Sequence, residues 1–193
     1  MIPPGVRHVI FDFGGTLADL RWPFSLLRRV FPTATMGPGE VTRPGRVRRL
    51  FRRIFYPIVA RFFRPYPGLL PTLDELSRAG YRLHILSNNS SILTWQLSSL
   101  GIAEIFDTVT WSEEAGVEKP DPRIFVIGLE RIGATAAEVV YVGNSFTADV
   151  LGARGAGIVP IHADYEGTSP AGSHLKIAAL ADLPKLLASS SSE

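Results

Sequence analysis

Apolar residues fall along this chain in two rhythms. Short, mostly apolar runs read as strands, because a strand covered on both faces loses its polar alternation: Val9-Ile10-Phe11, Tyr81 to Leu86, Val109-Thr110-Trp111, Val139 to Val142 and Ile158 to Ile161. Between them, Leu69 to Ala79, Ser91 to Leu100, Arg123 to Ile132 and Ala148 to Gly155 space their apolar residues as helices do, and Gly80 and Gly101 stand where two of these helices stop. A last strand and helix fall between Leu175 and Leu187, and the tail Ser189 to Glu193 reads as disordered. Alternating strands and helices predict an α/β fold, a Rossmann-like parallel sheet with helices on both faces.

The segment from Leu20 to Tyr66 breaks this regularity. Arg21 to Val30 predicts a short helix, and Pro32 to Pro44, rich in Gly, Pro and Thr, predicts a loop. From Arg46 to Phe63 the apolar residues Val47, Leu50, Phe51, Ile54, Phe55, Ile58, Val59, Phe62 and Phe63 again keep helical spacing, with a kink or split at Pro57. Pro65-Tyr66-Pro67-Gly68 ends the segment. Its charge sets it apart: Leu20 to Tyr66 holds eleven arginines and one acid, Glu40, for a net +10, whereas the rest of the chain carries −8. Arginines between apolar residues suit an anionic membrane surface or a polyanion; they equally suit a solvated face whose apolar stripe packs on a core. No recognised nucleic-acid-binding motif is present.

At 193 residues the chain is one domain, or one domain with an insertion. No apolar run approaches the roughly 20 residues that span a bilayer, and no basic stretch followed by an apolar core marks a signal peptide. There is no cysteine, which excludes disulfides and thiolate metal sites. A cytoplasmic location is the expectation.

Polar residues cluster where the predicted strands stop. Asp12 closes the first run, and Gly14-Gly15 turns the chain sharply after it. In an open parallel sheet ligands bind beyond the carboxyl ends of the strands, so Asp12 is a candidate nucleophile or metal ligand. Ser87-Asn88 offers a hydroxyl, an amide and backbone donors for an anion. Lys119 offers a point charge for a phosphate. Asn144 and Asp149, five apart across a turn into a helix, offer oxygen ligands for a hard cation. Each has a plainer role open to it, as a turn or helix cap, a loop lysine or a first-turn acid.

Together these motifs resemble the haloacid dehalogenase (HAD)-like hydrolase superfamily, of the type with a cap inserted after the first strand. The resemblance rests on Asp12-Phe13-Gly14-Gly15-Thr16-Leu17, on Ser87-Asn88, and on Lys119-Pro120-Asp121-Pro122 followed by Ile124-Phe125. It is completed by Gly143-Asn144-Ser145 with Asp149, Gly152-Ala153 and Ala156-Gly157. It implies a core of residues 1–18 and 68–188, a small basic helical cap at 19–67, and a Mg²⁺-dependent phosphatase acting on a small phosphorylated metabolite. Asp12 would form an aspartyl-phosphate. Lys119 would act with it in catalysis, and Ser87, Asn88, Gly14 and Gly15 would bind the phosphoryl group. Mg²⁺ would bind Asp12, the Gly14 carbonyl, Asn144 and Asp149.

Two positions depart from the family pattern. Gly14 stands where such phosphatases usually carry a second Asp as general acid and base, so acid–base chemistry should be weak. A positive φ at Gly14 would strain an Asp introduced there. Asn144 stands where Asp is common, and an amide binds Mg²⁺ with one negative charge fewer. Replacing Asp149 by Asn is expected to weaken the metal while leaving the fold intact. A 2-haloacid dehalogenase-like hydrolase remains an alternative, although Gly14 and Phe146 both depart from that branch. A catalytically impaired binding or adaptor protein with a basic cap is the other.

Overall fold

The computed structural model describes residues 2–20, 58, 61–169 and 174–189. His8–Phe11 (β1) lies inside a six-stranded sheet, with Arg82–Ser87 (β4) on one side and Val139–Gly143 (β6) on the other. Thr108–Trp111 (β5) flanks β4, and Val159–Ala163 (β7) and Leu175–Ile177 (β8) continue beyond β6, giving the order β5-β4-β1-β6-β7-β8. All the registered pairs are parallel, as the alternation of strands and helices requires.

The two faces of β1 feed two cores. Val9 and Phe11 pack with Leu73 and Leu76 of Leu69–Arg78 (α1), Leu93 and Leu97 of Ile92–Ser99 (α2), and Leu183 and Leu187 of Leu183–Ser189, the last helix. Ile10 packs on the other side with Val139, Tyr141, and Ile124 and Phe125 of a helix over Pro122–Ile132. Every residue of β1 and β6 is buried, which is why both read as unbroken apolar runs. Between these elements lie a short helix, Ser112–Ala115, and a π-helical turn over Phe146–Leu151 that runs on into Gly152–Gly155.

From β1 the chain leads to β4 and β5 on one side; from β6 it leads to β7 and β8 on the other. The crevice between β1 and β6 is therefore the topological switch point of the sheet, where such folds bind ligands.

Two boundaries differ from the sequence expectation. The helical spacing through Phe63 stops early: Arg61 and Phe62 form a turn and Phe63–Pro65 (β3) is a strand. It pairs antiparallel with Ala18–Leu20 (β2), matching Ala18 to Pro65 and Leu20 to Phe63. The ribbon forms here because Leu17 and Ala18 are fully buried and Phe63 rests on Phe13, with ring centroids 5.6 Å apart. Ser189, read as the start of a disordered tail, closes the last helix instead. The expected helix Arg21 to Val30, the loop Pro32 to Pro44 and most of the run Arg46 to Phe63 lie outside the described residues, as do the last four residues of the tail. Among the described residues no helix is long and apolar enough to cross a membrane.

At the other end of the strands, two histidines are buried side by side. His8 Nδ1 and His84 Nε2 are 3.0 Å apart, and His84 Nδ1 lies 3.0 Å from Thr108 Oγ1. Burial, followed by the nearby His8 and Arg82, pushes His84 down to about 4, and burial with Arg82 lowers His8 as well. The unfolded chain therefore takes these protons first. The contribution is complete above about pH 6.5 and is lost as pH falls towards 4, by up to about 3 kcal/mol for His84. Urea unfolding between pH 7.5 and pH 4.5 should show this decline, and His84→Gln should flatten it.

Candidate active site

The backbone of β1 continues its ladder one residue further, with Asp12 N–H donating to Val142 O at 2.8 Å. This places Asp12 at the switch point, almost covered, at 6% exposure. The chain then turns through Gly14 and Gly15 and bridges back at Ala18. Gly15 adopts φ +80°, and a Cβ there would lie 2.3 Å from Asn144 Nδ2, so this position admits no side chain. Gly14 is different: its φ lies outside the left-handed region and nothing stands within 4 Å of where a Cβ would be.

Lys119 arrives from the loop before the Pro122–Ile132 helix. That helix starts with Asp121 accepting from Arg123 N–H and with Pro122 in its first turn. The backbone of Lys119 is gripped by Asn88, whose Oδ1 accepts from Lys119 N–H at 2.8 Å and whose Nδ2 donates to Lys119 O at 3.0 Å. The Asn88 amide expected to face an anion is thus committed to the lysine loop. The Lys119 ammonium donates to Asp12 Oδ1 at 2.7 Å, to Asp149 Oδ1 at 2.6 Å and to Tyr141 Oη at 2.8 Å. All three ammonium hydrogens have acceptors.

Asp149 reaches this point from the π-helical turn. Its Oδ2 accepts from Ser145 N–H at 2.8 Å, and Gly143 makes room for it, since a Cβ there would lie 2.3 Å from Asp149 Cγ. Ser87 is buried at the end of β4, and its hydroxyl favours the charged form of the Asp12 carboxyl. Among the described residues no buried side-chain nitrogen or oxygen lacks a partner.

Burial pushes the Asp12 carboxyl above its ordinary range, and the Asp149 charge adds to this while Lys119 opposes it. For Lys119, burial favours the neutral amine, but the two carboxylates, Asp12 first, more than offset it and hold the ammonium above its ordinary value. Burial, with Asp149 and Asp12, keeps Tyr141 protonated.

Asn144 is exposed beside this cluster, its Oδ1 accepting a long 3.4 Å contact from Thr16 Oγ1. Its backbone carbonyl accepts from His162 Nε2–H at 2.9 Å, and His162 Nδ1 lies 3.1 Å from His174 Nε2. The structure thus brings Asp12, Ser87, Lys119, Asn144 and Asp149 to one end of the sheet, with Gly14 and Gly15 in the turn between them.

The donors suit Mg²⁺ in kind. All are oxygens, and two buried carboxylates face one ammonium, leaving an excess negative charge that a cation would balance. Among the described residues no three His, Asp or Glu side chains converge for a metal, so Asn144 and the Gly14 carbonyl would have to complete the set.

Reasoning from the sequence missed Tyr141, Thr16 and His162. Tyr141 carried the clearest signal, since a phenol in a strand covered on both faces must find a partner for its hydroxyl.

A family model described as haloacid dehalogenase-like hydrolase matches residues 39–157. The glyceraldehyde 3-phosphate phosphatase of Methanothermobacter thermautotrophicus is 39% identical over 123 residues, covering 63% of this chain and 54% of that protein. The ribulose-1,5-bisphosphate 5-phosphatase of Halopiger xanaduensis is 31% identical over 168 residues, covering 86% of this chain and 68% of that protein. The crystal structure of a HAD phosphatase from Thermococcus onnurineus superposes with a TM-score of 0.75 at 25% identity, covering 94% of this chain and 98% of the other. The chain spans about half the length of the glyceraldehyde 3-phosphate phosphatases it matches.

The bonds of Asp149 correct one expectation. In Asp149→Asn an NH₂ must face either Ser145 N–H or the Lys119–Tyr141 pair, so the change is not neutral for the fold. Urea unfolding should show a loss of about 3 kcal/mol, as for breaking a buried ion pair. A loss below about 0.5 kcal/mol, ordinary for a surface site, would contradict this.

Proposed function

We propose, from the premise that the chain belongs to the haloacid dehalogenase-like hydrolases, that it is a Mg²⁺-dependent phosphatase acting on a small phosphorylated metabolite through an aspartyl-phosphate at Asp12. The observation that carries this reading is the Lys119 ammonium, buried between the Asp12 and Asp149 carboxylates. It fixes one oxygen of Asp12 and so turns the carboxylate towards an incoming phosphorus. An Asp12 oxygen bonds to phosphorus while the bond to the leaving oxygen breaks and that oxygen keeps the electron pair. Water then attacks the same phosphorus, releasing phosphate and restoring Asp12. The Ser87 hydroxyl and the backbone N–H groups of Asn88 and Gly14 would receive the phosphoryl oxygens, and the Lys119 ammonium would offset their charge; Gly15 N–H, expected to join them, is taken by Ala18 O at 3.0 Å.

Mg²⁺ held by Asp12, the Gly14 carbonyl, Asn144 and Asp149 would supply positive charge to a phosphoryl group that the two carboxylates would otherwise repel. The net charge of the Leu20 to Tyr66 segment, with eleven arginines and one acid, would favour an anionic partner in the same sense.

Gly14 sets the limits of this chemistry. It places no proton donor or acceptor in the turn after Asp12. An alkoxide leaves with difficulty unless it is protonated, whereas aryl and acyl phosphates leave as stable anions. Water attacking the aspartyl-phosphate also lacks a base at this position. Activated phosphates should therefore be the better substrates, and the phosphorylated enzyme should accumulate.

An aryl phosphate with Mg²⁺ should give a burst of product followed by slow turnover, and Asp12→Asn should abolish both. Without any Mg²⁺-dependent release from aryl or acyl phosphates, the adaptor or dehalogenase alternatives would take its place. Because the position of a Cβ at Gly14 is open, Gly14→Asp should fold normally and raise turnover within the general acid–base range of about 10²–10⁴. Asn144 is exposed, so Asn144→Asp should also fold, and magnesium titrations of activity should show half-saturation at a lower concentration.

A further inference from the structure

Tyr141 lies in the middle of β6, fully buried, and its ring packs edge-on against Phe125 with centroids 5.1 Å apart. Phenylalanine would pack there equally well and would bring no hydroxyl to satisfy. The phenol nevertheless makes a set of directed bonds. Its hydroxyl has one hydrogen and donates it to Leu86 O at 2.8 Å; Asp149 Oδ1, at 3.2 Å, is the next acceptor in reach. With the hydrogen turned to Leu86, an oxygen lone pair faces Lys119 and accepts its third N–H at 2.8 Å.

The strand order gives this contact its reach. β6 and β4 are separated by β1, so the phenol spans the strand that ends at Asp12. It ties Leu86, the residue before Ser87, to Lys119 and comes within 3.2 Å of Asp149. Asn88 fixes only the backbone of Lys119; four carbons of flexible stem separate that backbone from the ammonium. Two carboxylates at 2.7 and 2.6 Å set the rotation of the ammonium only if its third, buried hydrogen also finds an acceptor; without one the group gains by shifting to satisfy that hydrogen at the expense of the other two bonds.

We infer that Tyr141 is a positioning residue for the reaction at Asp12: its hydroxyl holds the third hydrogen of the Lys119 ammonium and so aims the other two at Asp12 and Asp149. In Tyr141→Phe the ring packing stays while the third hydrogen loses its acceptor. The ammonium then settles unevenly between the two carboxylates, and Asp12 is no longer held as the phosphoryl group requires.

The kinetic part of this inference rests on the phosphatase reading; a second part does not. In the full chain with Mg²⁺ and an aryl phosphate, Y141F should lower kcat about tenfold or more and change KM by less than about threefold. Beryllium trifluoride, a phosphoryl analogue that binds carboxylates, should occupy Asp12 about tenfold more weakly in Y141F by fluorine NMR. The stability arm compares Y141F in the native background and in K119M. The fall in Tm caused by Y141F should be clearly smaller in K119M, where no ammonium loses its partner.

Unchanged kcat and analogue affinity, with the same fall in Tm in both backgrounds, would reduce Tyr141 to a core residue and overturn the inference. If Y141F does not fold, a folded K119M/Y141F double variant supports it and an unfolded one overturns it. A native protein that neither turns over the aryl phosphate nor binds the analogue would strike the phosphatase reading, and the Tm comparison alone would then decide the role of Tyr141.

Discussion

One buried ammonium organises this molecule. Lys119 bonds two carboxylates that lie 107 and 30 residues from it in sequence, and all three side chains are almost fully covered. Burying three charges costs several kcal/mol per ion unless every charge finds well-placed partners. Much of the surrounding structure supplies those partners or makes room for them. Asn88 grips the lysine backbone, Tyr141 takes the third ammonium hydrogen, Ser145 N–H takes the far oxygen of Asp149, and Gly143 yields the space Asp149 needs. Such a cluster is weak support for stability when compared with a packed apolar core. Its excess of one negative charge is one that a bound cation would balance.

The parallel sheet makes this convergence possible. β1 and β6 are neighbours whose chains then leave in opposite directions, so the ends of both strands open into one crevice. Asp12 and the Gly143-Asn144-Ser145 turn stand there because they are the residues at which the two apolar runs stop. Ser87 enters the same edge from β4, on the far side of β1. A shift of one residue in the pairing of β1 would turn Val9 and Phe11 to the opposite core, so the hydrophobic pattern that fixes the fold also fixes the place of Asp12.

This explains what could be read in the sequence and what could not. Strand identities and the parallel sheet follow from the apolar runs, and the gathering of Asp12, Ser87, Lys119, Asn144 and Asp149 at one edge from polar residues that end those runs or stand in the segments after them, together with the family resemblance of their motifs. The β2–β3 ribbon did not, because three residues are too few to show a period and Phe63 also fits the helical spacing that precedes it. Tyr141 was hidden inside an apolar run, where an aromatic side chain looks like core whichever way its hydroxyl points. Asn88 and Asp149 were located, but side-chain direction is a tertiary property. Nothing in Ser87-Asn88 says that the amide will turn to the Lys119 backbone, and nothing in the spacing of Asn144 and Asp149 says that one is exposed and the other buried.

The two glycines after Asp12 separate structural need from chemical choice. Gly15 is demanded twice over, by a left-handed backbone and by the Asn144 amide lying where a Cβ would go. Gly14 is demanded by neither, for its backbone is ordinary and the space beside it is open. A glycine that the fold does not require carries a cost in chain entropy, of the order of 0.5–1 kcal/mol relative to alanine where the backbone is compatible. The positive φ that the sequence left open at Gly14, under which an Asp would strain the turn, is absent. What this position withholds is a side chain able to carry a proton, next to a carboxylate whose partners are otherwise complete. The side chains gathered here orient one another and balance charge, and in the proposed reaction the departing group and the attacking water would have no proton carrier at that place.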